Sequence, residues 1–267
     1  VTIVSKETLL IELGTEELPP KSLKTLAVTF FEQVKLQIDA AELQYSAIKW
    51  FATPRRLAIQ VIDLDGKQQD KAIEKRGPAV NVAFDSEGNP SKAAEGWARS
   101  NGITIDQADR LKTDKGEWLL HKAIQPGKTV DELIPGFVNV AITKLPIPKP
   151  MRWGSERIQF IRPVHTLVLL FGDKIINGET LGVTSSNVAT GHRFHHHGLV
   201  TIDNASNYEA IMNAAHVMVD FEARQKIILE QINIAADSID GEPLLDDELI
   251  NEVTALVEWP VTLVGTF

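Results

Sequence analysis

Histidine side chains are concentrated in one short segment. The stretch TGHRFHHHG contains His192, His195, His196 and His197, four of the seven histidines in the 267-residue chain. Imidazole nitrogens bind zinc and copper, and on a strand His195 and His197 would share one face. The chain has no cysteine, no HExxH pattern and no carboxylate at a spacing that would complete such a site. We therefore expect surface residues, or contacts to backbone or RNA, and no physiological metal.

Catalytic motifs are also missing from the sequence. It contains no GxSxG pattern, no cysteine nucleophile, and no phosphate loop of the GxxxxGK[ST] or GxGxxG type. Glu16 and Glu17 are adjacent carboxylates, but they precede a predicted helix, and acidic residues in that position usually complement the helix N-terminus. The sequence therefore predicts no catalytic residue in this chain.

Arginine occurs beside aromatic residues in several places. Between Lys144 and Arg162 there are five basic residues and one acidic residue, with Trp153 and Phe160 among them. Arg55-Arg56 lies at a predicted turn, and Arg193 lies in the histidine segment. Such combinations suit phosphate contacts and base stacking. The alternative, that these arginines pair with nearby carboxylates, is equally compatible with the sequence.

The net charge of −9 is unevenly distributed. No Lys or Arg follows Lys226, whereas that part of the chain contains nine acidic residues, so residues 1–226 are balanced. A neutral body weakens the objection that an acidic protein does not bind nucleic acid. No apolar run reaches the ~20 residues that span a bilayer, and the absence of cysteine permits a cytoplasmic location.

The periodicity of the first half predicts mixed secondary structure. Residues 9–13 are typical of a buried strand, and a helix is expected after Pro19-Pro20 because apolar residues recur at three- and four-residue spacing. Two strands should flank Thr53-Pro54, and residues 68–90 are expected to form loops. Ser91 and Thr129 can cap helices, and Pro135 should break or kink the second of them.

The second half is expected to be similar in kind. We predict strands at 164–171, 180–188, 193–202, in VMVDF and in the final VEWPVTLVGTF, and helices at 206–215 and 222–239. The whole is predicted to be an α+β protein with two or more small mixed domains, mainly antiparallel sheets and flanking helices. We place one region at 1–145 and another at 151–267, joined by PIPKP, and expect the second to be truncated at its C-terminal end.

Seven segments occur in order along the chain: LLIELGTEELPPK, ATPRRLA, KPMRWG, FIRPVH, TGHRFHH, VDFEARQKII and LVEWPV. In this order and at comparable spacing, they resemble segments of the β subunit of the bacterial heterotetrameric glycyl-tRNA synthetase. The resemblance covers residues 9–267. It implies a subunit of a cytoplasmic aminoacyl-tRNA synthetase, a ligase of protein biosynthesis, whose partners are the α subunit and glycine tRNA. It also implies that the α subunit activates glycine with ATP and Mg²⁺, and that this chain holds no cofactor.

Under this resemblance, the arginines become candidates for contacts to tRNA phosphates while the α subunit performs activation and transfer. The candidates are Arg55, Arg56, Arg152, Arg157, Arg162 and Arg193. Two alternatives remain open. One is an assembly scaffold without RNA affinity of its own, and the other is a metal-dependent hydrolase that uses the histidine cluster.

Overall fold

The computed structural model describes residues 5–153 and 158–265. The chain divides into a larger unit, Val1–Lys67 with Lys128–Phe267, and an inserted unit, Gln68–Gly127. The boundaries between these units lie at residues 67/68 and 127/128, whereas the boundary expected from the sequence lies near residues 145–150. Residues 146–150 connect a helix to a short strand within the larger unit.

Helices and strands alternate irregularly along the described residues. The α-helices are α1 (Pro20–Ala40), α2 (Val80–Ala83), α3 (Lys92–Ser100), α4 (Val130–Thr143), α5 (Tyr208–Ala214), α6 (Phe221–Asp237) and α7 (Asp247–Leu256). The strands are β1 (Lys6–Thr15), β2 (Ala47–Thr53), β3 (Arg56–Asp65), β4 (Lys71–Ala79), β5 (Asp109–Thr113), β6 (Gly116–Gln125), β7 (Met151–Arg152), β8 (Gln159–Phe160), β9 (Val164–Phe171), β10 (Lys174–Ile175), β11 (Glu179–Thr180), β12 (Val183–Thr184), β13 (Val188–Thr190) and β14 (Leu199–Thr201). The paired strands are antiparallel, which confirms the predicted α+β class.

A five-stranded sheet in the order β10-β9-β1-β3-β2 organises the larger unit. Its central strand, β1, is covered on both faces, which explains why LLIEL is almost continuously apolar. Leu9, Ile11 and Leu13 pack into the core with α1 and α4, whereas Leu10 packs on the opposite side with α5. Because side chains alternate along a strand, Glu12 faces the α5 side as well.

Helix α1 confirms the predicted periodicity. The buried residues are those at three- and four-residue spacing, namely Leu23, Leu26, Ala27, Phe30, Val34 and Ile38. Pro20 occupies the first turn, where its missing N–H costs no hydrogen bond. The predicted strands around Thr53-Pro54 are also confirmed, as β2 and β3.

The inserted unit has a small core of its own. Its sheet has the order β4-β6-β5, and Leu119 packs with Ala83 and Ala94 from the two helices. Ser91 caps α3 as predicted, since its side chain accepts a hydrogen bond from the Ala94 N–H. The expectation that residues 68–90 form loops is wrong, because β4 and α2 lie there. Most β4 side chains are exposed, so the strand lacks the apolar alternation that would have indicated it.

Several other expectations also require correction. The expected break at Pro135 is wrong, because α4 continues through it: a Thr129–Glu132 capping box holds the start of the helix and four buried apolar residues hold its inner face. A kink at Pro135 stays a prediction. VMVDF and VEWPVTLVGTF are not strands within the described residues, and the 180–188 region forms only short pairs. Helix α7 was not predicted. No helix among residues 5–153 and 158–265 is both long and apolar enough to cross a membrane.

Candidate functional site

Arg56, at the start of β3, is the centre of a buried ionic network. Its side chain is completely buried. The guanidinium donates to Glu12 Oε2 and Glu258 Oε1, each at 3.3 Å. It also donates to Thr53 Oγ1 at 3.0 Å and to the Thr190 carbonyl at 2.8 Å. Burial opposes its charge, but the charges of Glu12 and Glu258 outweigh burial and raise the pKa of Arg56. The protein itself therefore satisfies this guanidinium, which faces no solvent.

Glu258 lies in LVEWPV and connects that segment to ATPRRLA directly and to TGHRFHH through Arg55. Its Oε1 accepts a hydrogen bond from Thr53 Oγ1 at 2.8 Å, and its Oε2 accepts one from Arg55 Nη2 at 2.8 Å. The same Arg55 nitrogen donates to the Gly191 carbonyl at 2.8 Å. Burial disfavours the carboxylate, but Arg56, Arg55 and Thr53 together hold its pKa below the ordinary value. Glu258 is therefore an ionised, buried link between ATPRRLA, TGHRFHH and LVEWPV.

Tyr208 completes the network from α5. Its hydroxyl donates to Glu12 Oε2, while Glu12 Oε1 has no hydrogen-bond partner among the described residues. Burial, with the charge of Glu12 adding to it, raises the pKa of Tyr208. Sequence reasoning missed Glu12, Tyr208 and Glu258. The available signal was a carboxylate inside an apolar run, LLIEL in one case and VEWPV in the other.

The histidine segment forms a turn. The predicted strand at 193–202 is wrong for most of its length, since β14 covers only Leu199–Thr201. His192 Nδ1 accepts hydrogen bonds from the backbone N–H groups of Phe194 at 3.2 Å and His195 at 3.1 Å. Burial lowers the pKa of His192, which favours the neutral ring that can accept them. His195 and His197 therefore do not share a strand face.

Aromatic rings continue from this turn towards the chain after α7. The His192 and His195 rings are stacked with centroids 4.4 Å apart, and His216 lies between His195 and Trp259. A Cβ on Gly191 would lie 2.5 Å from the His196 ring, so glycine is needed there for close packing. In the described ranges, no group of three or more His, Asp or Glu side chains is arranged to hold a metal ion. His192, His195 and His216 thus pack in a row that ends at Trp259, whereas His196 packs against Gly191.

Arg193 lies within this turn and forms an exposed ionic cluster with Glu16 and Glu17. Its guanidinium lies 2.7 Å from Glu17 Oε1 and 3.3 Å from Glu16 Oε2, and His165 Nε2 lies 2.9 Å from Glu16 Oε1. The His165 hydrogen bond is the main reason that the pKa of Glu16 is lowered. Glu16 and Glu17 precede α1, which begins at Pro20, and their side chains pair with Arg193 and His165, so a role at the helix N-terminus stays a prediction.

A cleft of about 220 Å³ lies where these segments meet. Arg193 and Phe194 contribute to its lining and are exposed, with 47% of the Arg193 side chain and 77% of Phe194 accessible. Arg55 also lines it, but only 13% of its side chain is accessible. The lining residues belong to four segments, TEELPP, TPRR, GHRF and LVEWP. They are Glu17, Pro54, Arg55, His192, Arg193, Phe194, Leu256, Val257, Glu258 and Trp259.

Two further candidate arginines, Arg152 and Arg162, are not among the residues that line this cleft. Arg152, on the β7–β8 pair, is exposed and bonds the Gln159 side-chain oxygen at 2.7 and 3.0 Å when that amide is oriented to accept. Arg162 donates to the Glu17 and Ile161 carbonyls, each at 2.9 Å. Arg157 lies outside the described residues. The structure therefore brings Arg55, Arg56 and Arg193 together, and Arg162 joins them through Glu17.

Comparison with known proteins relates these segments to one family. The family model described as glycyl-tRNA synthetase beta subunit matches residues 9–267. The glycine–tRNA ligase beta subunit of Colwellia psychrerythraea is 67% identical over 264 residues, which is 99% of this chain and 38% of that protein. The corresponding proteins of Psychromonas ingrahamii and Aliivibrio fischeri are 54% identical over 265 residues and 55% identical over 259, covering 99% and 97% of this chain. The chain spans 38% of the length of each of these curated relatives.

Proposed function

Because the chain belongs to the glycyl-tRNA synthetase β-subunit family, we propose that it contributes tRNA contacts and subunit assembly to a glycine–tRNA ligase. Glycine activation with ATP and Mg²⁺ would then take place on the partner α subunit, in a cytoplasmic heterotetramer. This chain would hold no catalytic residue and no cofactor. Its own part would be to bind the tRNA backbone and keep the acceptor arm positioned for the other subunit.

One observation carries the tRNA-contact proposal, namely the exposed Arg193–Phe194 pair at the edge of the cleft. A guanidinium can bind a phosphate and a phenyl ring can stack on an unpaired base, so neighbouring Arg and Phe suit a single-stranded RNA segment. The turn that presents them is held by His192 and by the packing of Gly191 against His196. A fixed turn lowers the conformational cost of binding.

The ion pairs of Arg193 are compatible with this role. Its partners Glu16 and Glu17 have accessible side chains, and exposed ion pairs contribute only about 0–1 kcal/mol. A phosphate can therefore compete for the guanidinium at little cost. We extend the proposal to Arg152 and Arg162, while Arg55 and Arg56 hold the site through Glu258. A role for Arg157 remains a prediction.

The test compares two arginines of similar exposure. Arg193→Ala should weaken binding of this chain to glycine tRNA and reduce the slope of log affinity against log salt by about 1. Arg110→Ala is the matched control, since Arg110 is also exposed and paired with a glutamate. Circular dichroism of both variants establishes that they are folded. Equal tRNA affinities and slopes for the two variants would remove Arg193 from the proposal.

A specific observation favours the second candidate, an assembly scaffold without RNA affinity. All five candidate arginines in the described ranges already have protein partners, and three of them pair with carboxylates. A scaffold predicts association with the α subunit and no tRNA binding by this chain. Binding assays of this chain with the α subunit and, separately, with glycine tRNA distinguish the assembly scaffold from the tRNA-contact proposal. The metal-dependent hydrolase receives no support from the arrangement of the described histidines.

A further inference from the structure

Exposed apolar residues are concentrated on α6, α7 and the segments that follow them. Of the sixteen large hydrophobic residues that are exposed in the described ranges, nine lie between positions 234 and 264. They are Ile234, Ile239, Leu244, Leu245, Leu249, Leu256, Val261, Leu263 and Val264. Single exposed aliphatic residues are ordinary, but a concentration of this kind marks an interaction surface. Leu256 lines the cleft described above, and we call the other eight residues the C-terminal apolar face.

A groove of about 300 Å³ on this face lies between α6 and residues 261–262. Ile234 and Val261 line it, and each is 69% exposed. Gln231 holds its two sides together, because its amide donates to the Pro260 carbonyl at 3.2 Å and accepts from the Thr262 N–H at 2.8 Å. The groove is therefore a fixed recess with apolar sides, suited to an aliphatic side chain of another protein segment.

The charges around this face define what can cover it. After Lys226 the sequence contains nine acidic residues and no Lys or Arg, and among the nine only Glu258 is buried. Lys21 and Lys24 on α1 lie beside Glu248 and Glu252 on α7, but the eight acidic residues that are not buried outnumber them. The surface therefore disfavours phosphate, and with it RNA, and two copies of it would repel each other. The complementary partner is a protein surface with an apolar centre and a rim of Lys and Arg.

The family relatives show where such a surface could come from. These residues match only 38% of each relative, so each of these relatives contains further chain outside the match. A segment of the same chain is present at high effective concentration, which favours it over a separate molecule. Resting on the proposed function, we propose that the C-terminal apolar face docks that further part of the β subunit, through a basic-rimmed apolar surface.

Hydrogen exchange of the backbone amides can test this docking. Exchange of α6 and of residues 257–265 is measured in this 267-residue chain and in a full-length β subunit that contains it. We expect these amides to exchange at least about tenfold more slowly in the full-length subunit, since covering one aliphatic side chain has an effect of that order. Ile234→Gln should abolish most of this protection. Leu36→Gln on α1, a helical aliphatic residue that is 57% exposed, is the matched control.

Two results would overturn the inference. One is equal exchange in the two proteins, and the other is protection that develops only when the α subunit is added, which would assign the face to that subunit. Thermal unfolding of both variants in the 267-residue chain checks that neither substitution disturbs the fold itself. Binding of tRNA by the same samples keeps the proposals separate. Unchanged tRNA affinity without protection contradicts only the docking, whereas protection without tRNA binding contradicts only the tRNA contact.

Discussion

The Oε2 atom of Glu258 accepts a 2.8 Å hydrogen bond from Arg55 Nη2, although the two residues are 203 positions apart. This contact fixes the chain after α7 against the turn between β2 and β3. The other oxygen of Glu258 bonds Arg56 and Thr53, so one carboxylate satisfies two arginines. Glu258 is thus the residue on which the geometry of the cleft most depends.

Replacement of Glu258 should strongly destabilise the protein. Glu258→Gln leaves Arg56 buried with one of its two carboxylates removed, and breaking a buried ion pair costs about 3–5 kcal/mol. The free energy of unfolding, measured with urea, should fall by an amount near the lower end of that range. Glu252→Gln is the control, because Glu252 is partly exposed and lies 4.0 Å from Lys21. Equal losses for both variants would contradict the assigned role of Glu258.

The same carboxylate predicts a pH dependence. Because the folded pKa of Glu258 lies below its ordinary value of 4.5, its contribution to stability is fully present above that pH and is lost as the pH falls through the folded pKa. The difference in urea midpoint between the unaltered protein and Glu258→Gln should therefore shrink as the pH is lowered below about 4.5. A difference that stays constant from pH 7 to pH 3 would mean that folding does not lower the pKa of Glu258.

The two tyrosines of the chain offer a matched pair. Tyr208→Phe removes a buried hydrogen bond to the Glu12 carboxylate and should cost about 1.5–3 kcal/mol, the usual range for hydrogen bonds to charged groups. Tyr45→Phe removes an exposed hydrogen bond to Asp39 and should change stability by less than about 0.5 kcal/mol. Chemical denaturation of both variants measures the contrast. An unchanged free energy of unfolding for Tyr208→Phe would mean that the hydrogen bond from Tyr208 to Glu12 contributes little to stability.

Two glycines should respond in opposite directions to alanine. Gly191→Ala places a methyl group 2.5 Å from the His196 ring, so the turn must shift and stability should fall by about 1–3 kcal/mol. Gly96→Ala, inside α3, meets no atom within 4 Å and should stabilise the protein by about 0.5–1 kcal/mol. Thermal unfolding distinguishes them. A neutral Gly191→Ala would show that the histidine turn is not closely packed.

The sequence predicted a helix correctly where neighbouring residues alone determine its structure. The apolar spacing in α1 identified its buried face, and Ser91 identified the start of α3, because both depend on neighbouring residues. Helix α7 was missed even though Asp246 caps it, since its exposed leucines obscure the amphipathic pattern.

The site was harder to predict because its contacts are long-range. Spacing alone does not indicate that Arg56 is buried between Glu12 and Glu258, or that Arg193 lies beside Glu17. The histidine turn likewise depends on the packing of Gly191 against His196 and on the His216 and Trp259 rings. Four of the seven resembling segments nevertheless contain all the residues that line the cleft.

Binding of this chain to glycine tRNA, measured alone at about 50 mM and 200 mM salt, tests the central proposal most directly. We predict measurable binding that weakens as salt rises, because arginine contacts to phosphates release counterions. Absence of binding at the lower salt, in a sample that still associates with the α subunit, would contradict the tRNA contact and leave the assembly scaffold.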